Sequence, residues 1–457
     1  MSTPSTFGRR TAIKLGLAGT AAALAPRRAS AQSPREVKIA LVVPLSGAWA
    51  RQGILKQMGA ELAIDDVNKG GGIKALGGAK LKLIVYDTGD TAEKAKNAAQ
   101  RLVAQEPDVV GGIGCWLSSF TLAVTEVTER AELPWLTLSY SDLITGRGYK
   151  YIFQSSPTAE AQSTALLPRI VDLATKATNV KPTKVAFVGD NSASSVSFMK
   201  PIREHVAKDL GLTIVADEVY TPPLADATTL VQKIRSGRPD FIVCQSTNVG
   251  DDKLLLDKFA ERGITPSTIP LIGGGGHWCV PELMKIAGKD HLEGMIVGLA
   301  NWPGKAVEDV EKRFIAKTGE PWFGHDSIFP YAHVWIFKEA LERTGSADRK
   351  KLGEMMHKID EYSFLNCAVI VVMNEQDEET RRMKEDLLVN LRRVFPLHQY
   401  EPGSFWLVVH SKDEFVKTLS YSVNKLRALI ISRAEGVKVL KTSDVTAKPS
   451  LTGQAEE

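Results

Sequence analysis

Val109-Val110-Gly111-Gly112-Ile113-Gly114-Cys115-Trp116-Leu117-Ser118-Ser119-Phe120-Thr121 is the stretch on which the reading of this chain turns. The apolar run ends in glycines and opens at once into a helical segment near Ser118, so it reads as a buried strand feeding a helix. A hydroxyl pair at a helix start can cap the free N–H groups. It can equally hold an anionic ligand group against the positive end of the helix dipole. Capping alone is the commoner use of such a pair; a ligand role requires that the rest of the chain build a cleft in front of it.

Working outward, strands and helices alternate on both sides of this stretch. Residues 37–43 form a short β-branched run that reads as a buried strand, followed by a helix over about 53–68 with Leu55, Met58, Leu62, Ile64 and Val67 broadly at helical spacing. Gly70-Gly71-Gly72 stops it. Strand 81–86, helix 91–105, strand 109–114, the Ser118 helix and strand 133–138 complete a first series. A second series follows Phe153: helices 159–175, 196–210, 228–236 and 252–262 alternate with strands 184–188, 212–219, 241–244 and 269–272. Gly298-Leu299-Ala300-Asn301-Trp302-Pro303 then reads as a return to the first half, with helices over 307–318, 328–343 and 348–359. Such βαβα alternation predicts an α/β fold of two doubly wound parallel-sheet lobes, 36–155 with 299–362 and 156–298. The ligand cleft belongs at the carboxyl ends of the strands, between the lobes, so Ser118 and Ser119 are expected to face it.

The bulk numbers fit a globular protein: 457 residues, 44% hydrophobic and 24% charged. A net charge of +4 without a Lys/Arg run gives no nucleic-acid surface for the main domain. Cys115, Cys244, Cys279 and Cys367 lack CxxC spacing, so neither a zinc site nor a disulfide framework is implied, and no cofactor is expected. Phe7-Gly8-Arg9-Arg10-Thr11-Ala12-Ile13-Lys14, a moderately apolar stretch and Ala29-Ser30-Ala31 resemble a twin-arginine export signal over 1–31, which places the mature protein in the periplasm.

Catalytic readings find little support. Ser118 lacks a GxSxG elbow and a placed histidine. Gly112-Ile113-Gly114 has Leu117 where a dinucleotide fingerprint needs its third glycine. His277 and Cys279 flank Trp278 without further metal ligands at a useful spacing, and His325 reads most simply as a loop residue. A non-enzyme is expected.

From about 37 to 362 the chain resembles the periplasmic Leu/Ile/Val-binding protein family, the type I substrate-binding proteins of ABC importers. The matching marks, in order, are Val43-Pro44-Leu45-Ser46-Gly47; Ala60-Glu61-Leu62-Ala63-Ile64-Asp65-Asp66-Val67-Asn68; Tyr86-Asp87 with Asp90; Gly112-Ile113-Gly114 before Ser118-Ser119; Leu143-Ile144-Thr145 before Gly148-Tyr149; Tyr220, Asp226 and Pro239-Asp240-Phe241-Ile242. The resemblance implies a hinge-closing binder of a small carboxylate-bearing ligand, an amino acid or related compound, aromatic and amide-type ones included, delivered to ABC permease subunits. It further implies that Ser118 and Ser141 hold the carboxylate and that a carbonyl near Ser139 helps hold an ammonium. The crossings of the hinge fall near Ser155, Leu299 and Ile359. Three positions depart from the pattern. An acid that pairs with the ammonium belongs near Gly275, and closing aromatics belong near Ser194 and Thr247. Without an acid a buried ammonium is costly. Trp49, Trp116 and Trp278 are instead expected to face the cleft, where indoles suit a larger, flatter or more apolar ligand. Each also has the plain alternative of lobe packing. The glycine run Gly273–Gly276 has two readings as well, a loop that moves with closure or a source of backbone N–H groups.

The last quarter departs from the family. Strand 367–373, helix 378–395, strand 404–410, helix 413–424 and strand 427–432 predict an appended βαβαβ unit over 364–440, and 441–457 reads as a disordered tail. Phe405-Trp406-Leu407-Val408-Val409 weakly resembles a strand of small ferredoxin-like CRISPR-associated proteins. Two alternatives accompany the importer reading: a periplasmic sensor presenting its closed form to a receptor, and a fusion with an unrelated nucleic-acid-related or interaction module.

Overall fold

The computed structural model describes residues 36–303, 307–358, 368–372, 405–406, 416–421 and 426–431. The first lobe is built on five parallel strands in the order β2-β1-β3-β4-β5: β1 (Glu36–Val43), β2 (Lys80–Asp87), β3 (Val109–Gly114), β4 (Trp135–Thr137) and β5 (Ile152–Gln154). The second repeats that order as β7-β6-β8-β9-β10, with β6 (Lys184–Asp190), β7 (Thr213–Tyr220), β8 (Phe241–Gln245), β9 (Leu271–Gly274) and β10 (Ile296–Leu299). In both lobes the first strand sits inside the sheet, so the chain switches direction there and opens a crevice at the strands' carboxyl ends.

Helices cover both faces, which is why the inner strands β1, β3, β6 and β8 are largely apolar instead of alternating, while the edge strands β2 and β7 carry exposed polar residues. On one face of the first sheet, α1 (Ala50–Lys69) packs along α10 (His325–Thr344), joining Ala60, Ala63, Val67, Phe337 and Leu341 in one cluster. On the other, α2 (Ala92–Gln105) and α3 (Ser118–Arg130) bring Ala98, Leu102, Phe120 and Val124. The small residues of β3 let this layer close up: a Cβ on Gly112 would stand 2.2 Å from the ring of Trp135. The second lobe is covered by α4 (Ala159–Thr178) and α5 (Ala193–Pro201) on one side. Its other side carries α6 (Thr228–Gly237), α7 (Val249–Glu261) and α8 (Pro281–Ala287). After β10 the chain returns through α9 (Glu308–Thr318) to α10 and α11 (Arg349–Met356).

Two expectations change. The helix read over 196–210 is interrupted: α5 ends at Pro201, a π turn follows over Ile202–Val206 and one short turn over Ala207–Asp209. A helical proline removes an i→i−4 bond and crowds the preceding turn, so the winding changes next to it. The segment read as a helix over 413–424 contains a strand, Val416–Tyr421, in line with its Val, Thr and Tyr content.

The C-terminal strands also do not close a sheet of their own. Strand β11 (Ala368–Val372) pairs antiparallel with β10, and β12 (Phe405–Trp406), β13 (Val416–Tyr421) and β14 (Leu426–Ile431) continue outward from it. Without β11, β10 would be a bare parallel edge with a row of unpaired N–H and C=O groups, and the β-branched run over 368–372 satisfies it. The expected helix 378–395, the tail 441–457 and the export signal 1–31 lie outside the described residues.

Candidate functional site

A cleft enclosing about 370 Å³ of space, part of it open to solvent, lies between the carboxyl ends of the two sheets. From the first lobe it is lined by Trp116, Leu117, Ser118, Leu138, Ser139 and Tyr140, with His325 from the first turn of α10. From the second come Ser194, the run Gln245-Ser246-Thr247 that ends β8, and Gly274-Gly275-Gly276-His277 after β9. Among these lining residues there is no Asp, Glu, Lys or Arg.

Neither serine of the opening stretch caps its own helix. The N-cap of α3 is Leu117, without a side-chain cap bond. Ser118 is buried, and its Oγ accepts from the backbone N–H groups of Tyr140 and Ser141, both at 3.1 Å. That ties the α3 start to the segment after β4. With both acceptor directions used, the hydroxyl proton is left to donate, and it meets no acceptor among the described residues. Ser119 reaches across the lobes: its Oγ accepts from the N–H of Ala193 at 3.2 Å, at the start of α5.

Ser139 is buried and shares a 2.7 Å bond with Thr121, and its Oγ also lies 3.0 Å from the Trp116 carbonyl. Its own carbonyl, expected to face an ammonium, accepts instead from Gln154 Nε2 at 2.6 Å. Ser141 pairs with Ser197 of the second lobe, oxygen to oxygen at 2.9 Å.

The three tryptophans divide. Trp116 lines the cleft, 5.9 Å edge-on from His277, and donates its indole N–H to Asp326 Oδ1 at 2.8 Å. Trp49 stands edge-on to Phe120 and donates to the Thr247 carbonyl at 3.0 Å, so it is a lobe-to-lobe strut and not a cleft wall. Trp278 is only 1% exposed and belongs to the core of the second lobe. The one-turn helix Gly276–Cys279 tucks its ring under Gly273, where a Cβ would stand 2.7 Å from the indole. Placing three tryptophans on one cleft therefore holds for Trp116 alone.

The glycine run is locked by its surroundings. A Cβ on Gly274 would lie 2.0 Å from Gln245 Oε1, and one on Gly276 2.2 Å from the ring of His325. Gly275 has φ of 108°, which side-chain-bearing residues rarely adopt. An acid at the position where one was expected would therefore be strained.

Behind the lining lies a layer of buried polar groups that the sequence reading missed. Lys56 on α1 and Asp326 on α10 are both 2% exposed and stand 3.6 Å apart. Burial pulls the Lys56 ammonium down to about 8 against the opposing pull of Asp326, and burial raises the Asp326 carboxyl. His325 Nδ1 faces Asn301 Oδ1 at 3.0 Å, so that nitrogen carries the proton, and Nε2 accepts from the Tyr140 hydroxyl at 2.8 Å. Burial holds His325 and His277 neutral, with pKa values lowered to about 3. Burial also raises Asp252, which lies behind His277 and accepts a hydrogen bond from the Ser246 hydroxyl. No cluster of three His, Cys, Asp or Glu side chains suited to a metal exists among the described residues, and Cys115, Cys244 and Cys279 are buried. Two signals stood in the sequence unused. Gln245 is a polar end to the apolar run Phe241-Ile242-Val243-Cys244, and His325 belongs to the helix it was read as preceding.

Comparison with known proteins agrees with this architecture. The periplasmic binding protein family matches residues 36–388. Leu/Ile/Val-binding protein homolog 8 of Brucella abortus is 30% identical over 320 residues, covering 67% of this chain and 76% of that protein. The fold is shared with a branched-chain amino acid transporter substrate-binding protein of Streptococcus pneumoniae solved with isoleucine, at TM-score 0.62 and 19% identity over 87% of this chain and 99% of the other. It is shared too with an ABC-transporter solute-binding protein of Rhodopseudomonas palustris solved with 3,4-dihydroxybenzoic acid, at TM-score 0.58 and 22% identity over 70% and 84%. From the repeated doubly wound lobes, the cleft between their strand ends and these matches together, the chain belongs to the periplasmic binding protein family, in its Leu/Ile/Val-binding branch.

Proposed function

We propose that this chain is the exported solute-binding component of an ABC importer, and that its lobes close by hinge motion on a small carboxylate-bearing ligand for delivery to membrane permease subunits. The observation that carries the reading is Ser118. Its oxygen is already engaged by two backbone N–H groups, so its proton is the part free to meet a ligand oxygen. It does so at the positive end of α3. The neutral cleft wall argues against a ligand whose ammonium must also be buried. Solved proteins of this fold hold isoleucine in one case and 3,4-dihydroxybenzoic acid in another, both of them carboxylates.

The test is a thermal-shift screen of amino acids, aromatic acids, amides and short peptides, followed by calorimetry on the best carboxylate. Ser118→Ala is expected to weaken that ligand about tenfold or more, the scale of one hydrogen bond to a charged group. Unchanged affinity in that variant refutes the anchor.

A further inference from the structure

Gln245 closes an otherwise apolar strand, and its side chain stands in the cleft wall at 4% exposure. Its backbone carbonyl is held by Ser195 Oγ at 2.8 Å, yet its side-chain oxygen has no hydrogen-bond partner. The space it occupies exists because Gly274 has no Cβ. A buried amide oxygen without a donor costs about as much as a lost hydrogen bond, so the position favours an entrant that supplies an N–H.

The neighbours narrow the entrant further. His277 and His325 flank the same cavity as neutral rings, and no carboxylate lines it, so a cationic N–H donor would be desolvated without an opposite charge. A neutral donor carries no such cost. An amide presents one donor edge and one acceptor, as the glutamine side chain itself does, so two amides can pair through complementary N–H···O bonds.

We propose that Gln245 determines specificity by pairing with a neutral carboxamide-type group on the ligand, a primary amide, lactam or ureido group. The ligand is then a small acid carrying one such group and no ammonium. This rests on the reading of Ser118 as the carboxylate anchor at the other side of the same cleft.

The test is calorimetry on the full chain with matched pairs of similar size: succinamate against 4-aminobutyrate, and pyroglutamate against proline, with isobutyramide as an amide lacking the carboxylate. At least one amide acid is expected to bind about tenfold or more tightly than its ammonium counterpart. Gln245→Leu should erase that preference, and Gln245→Glu should shift it toward the ammonium compound. Equal binding within both pairs, binding by neither amide acid, or an unchanged preference in Gln245→Leu overturns the proposal. The wild-type comparison stands even where a variant folds poorly. If isobutyramide binds as well as succinamate, the carboxylate reading fails while the pairing of Gln245 with an amide stands; if acids bind without regard to the amide, that pairing fails and the carboxylate reading stands.

Discussion

The two walls of the cleft are built on opposite plans. The wall from the first lobe is fastened from behind: Ser118 is held by two backbone N–H groups, Ser139 by Thr121, and Trp116 by Asp326, which in turn faces Lys56. The wall from the second lobe is fastened through its backbone and at its base, where Ser195 holds the Gln245 carbonyl, Thr247 donates to Asp190 and Ser246 to Asp252. Its face is bare glycine backbone, a neutral imidazole and an amide oxygen without a donor. A wall whose groups are already bonded fixes where a ligand sits; a wall with a vacant acceptor chooses which ligand completes it.

The largest expected effect comes from cutting the fastening of the first wall. Lys56→Met leaves the Asp326 carboxylate buried without its cation and should destabilise the fold by roughly 3–5 kcal/mol in urea unfolding. A loss under about 1 kcal/mol would mean the pair carries no weight. The pH dependence follows in sign. With the folded Lys56 lowered to about 8 and its ordinary value at 10.5, the unfolded chain binds the extra proton between those limits. The contribution of Lys56 to stability therefore rises with pH across that window, and Lys56→Met should lack this rise.

The histidines give a similar test that spans both walls. His277, His325 and His333 are all buried neutral, lowered from 6.5 to about 3. As pH falls below 6.5 the unfolded chain gains protons that the folded rings refuse, so the histidine contribution to stability should drop toward pH 4, while the raised Asp252 and Asp326 carboxyls act in the opposite direction. His333→Gln should therefore lose part of the acid-side drop in thermal midpoint; an unchanged pH profile in that variant would show its ring to be accessible. The smallest effect is at the struts between the walls: Ser119→Ala removes the bond to Ala193 and should cost about 1 kcal/mol or less, read as a small fall in the thermal midpoint. If it matches Lys56→Met, the contrast between a fastened wall and a loosely joined one is wrong.

Much of this was legible in the residues, for a physical reason. Strand and helix periods, the glycine stop after α1 and the Ser118 turn are local, and the two repeated lobes follow from local pattern alone. What was not legible depends on partners distant in sequence. Trp49, Trp116 and Trp278 look alike at strand ends, but one braces the lobes, one lines the cleft and one fills a core, according to what packs on each ring. Lys56 and Asp326 are ordinary members of two helices until those helices pack together. Local period reads 367–373 as a strand and 413–424 as a helix, whereas the strands 368–372 and 416–421 follow from the sheet edge they extend, which is a property of the whole sheet.

The locked glycines at the end of β9 bear on how such a binder diversifies. At position 275 a new acid meets a backbone angle of 108° and the ring of His277 at 3.0 Å; at 274 and 276 any side chain meets Gln245 or His325 within 2.2 Å. An acid introduced along this segment is therefore strained at 275, meets the His325 ring at 276, and at 274 has to displace the Gln245 amide. The accessible mutational routes run through Gln245, Ser194 and Thr247, where side chains already face the cavity, and a library aimed at new ligands gains most by varying those three.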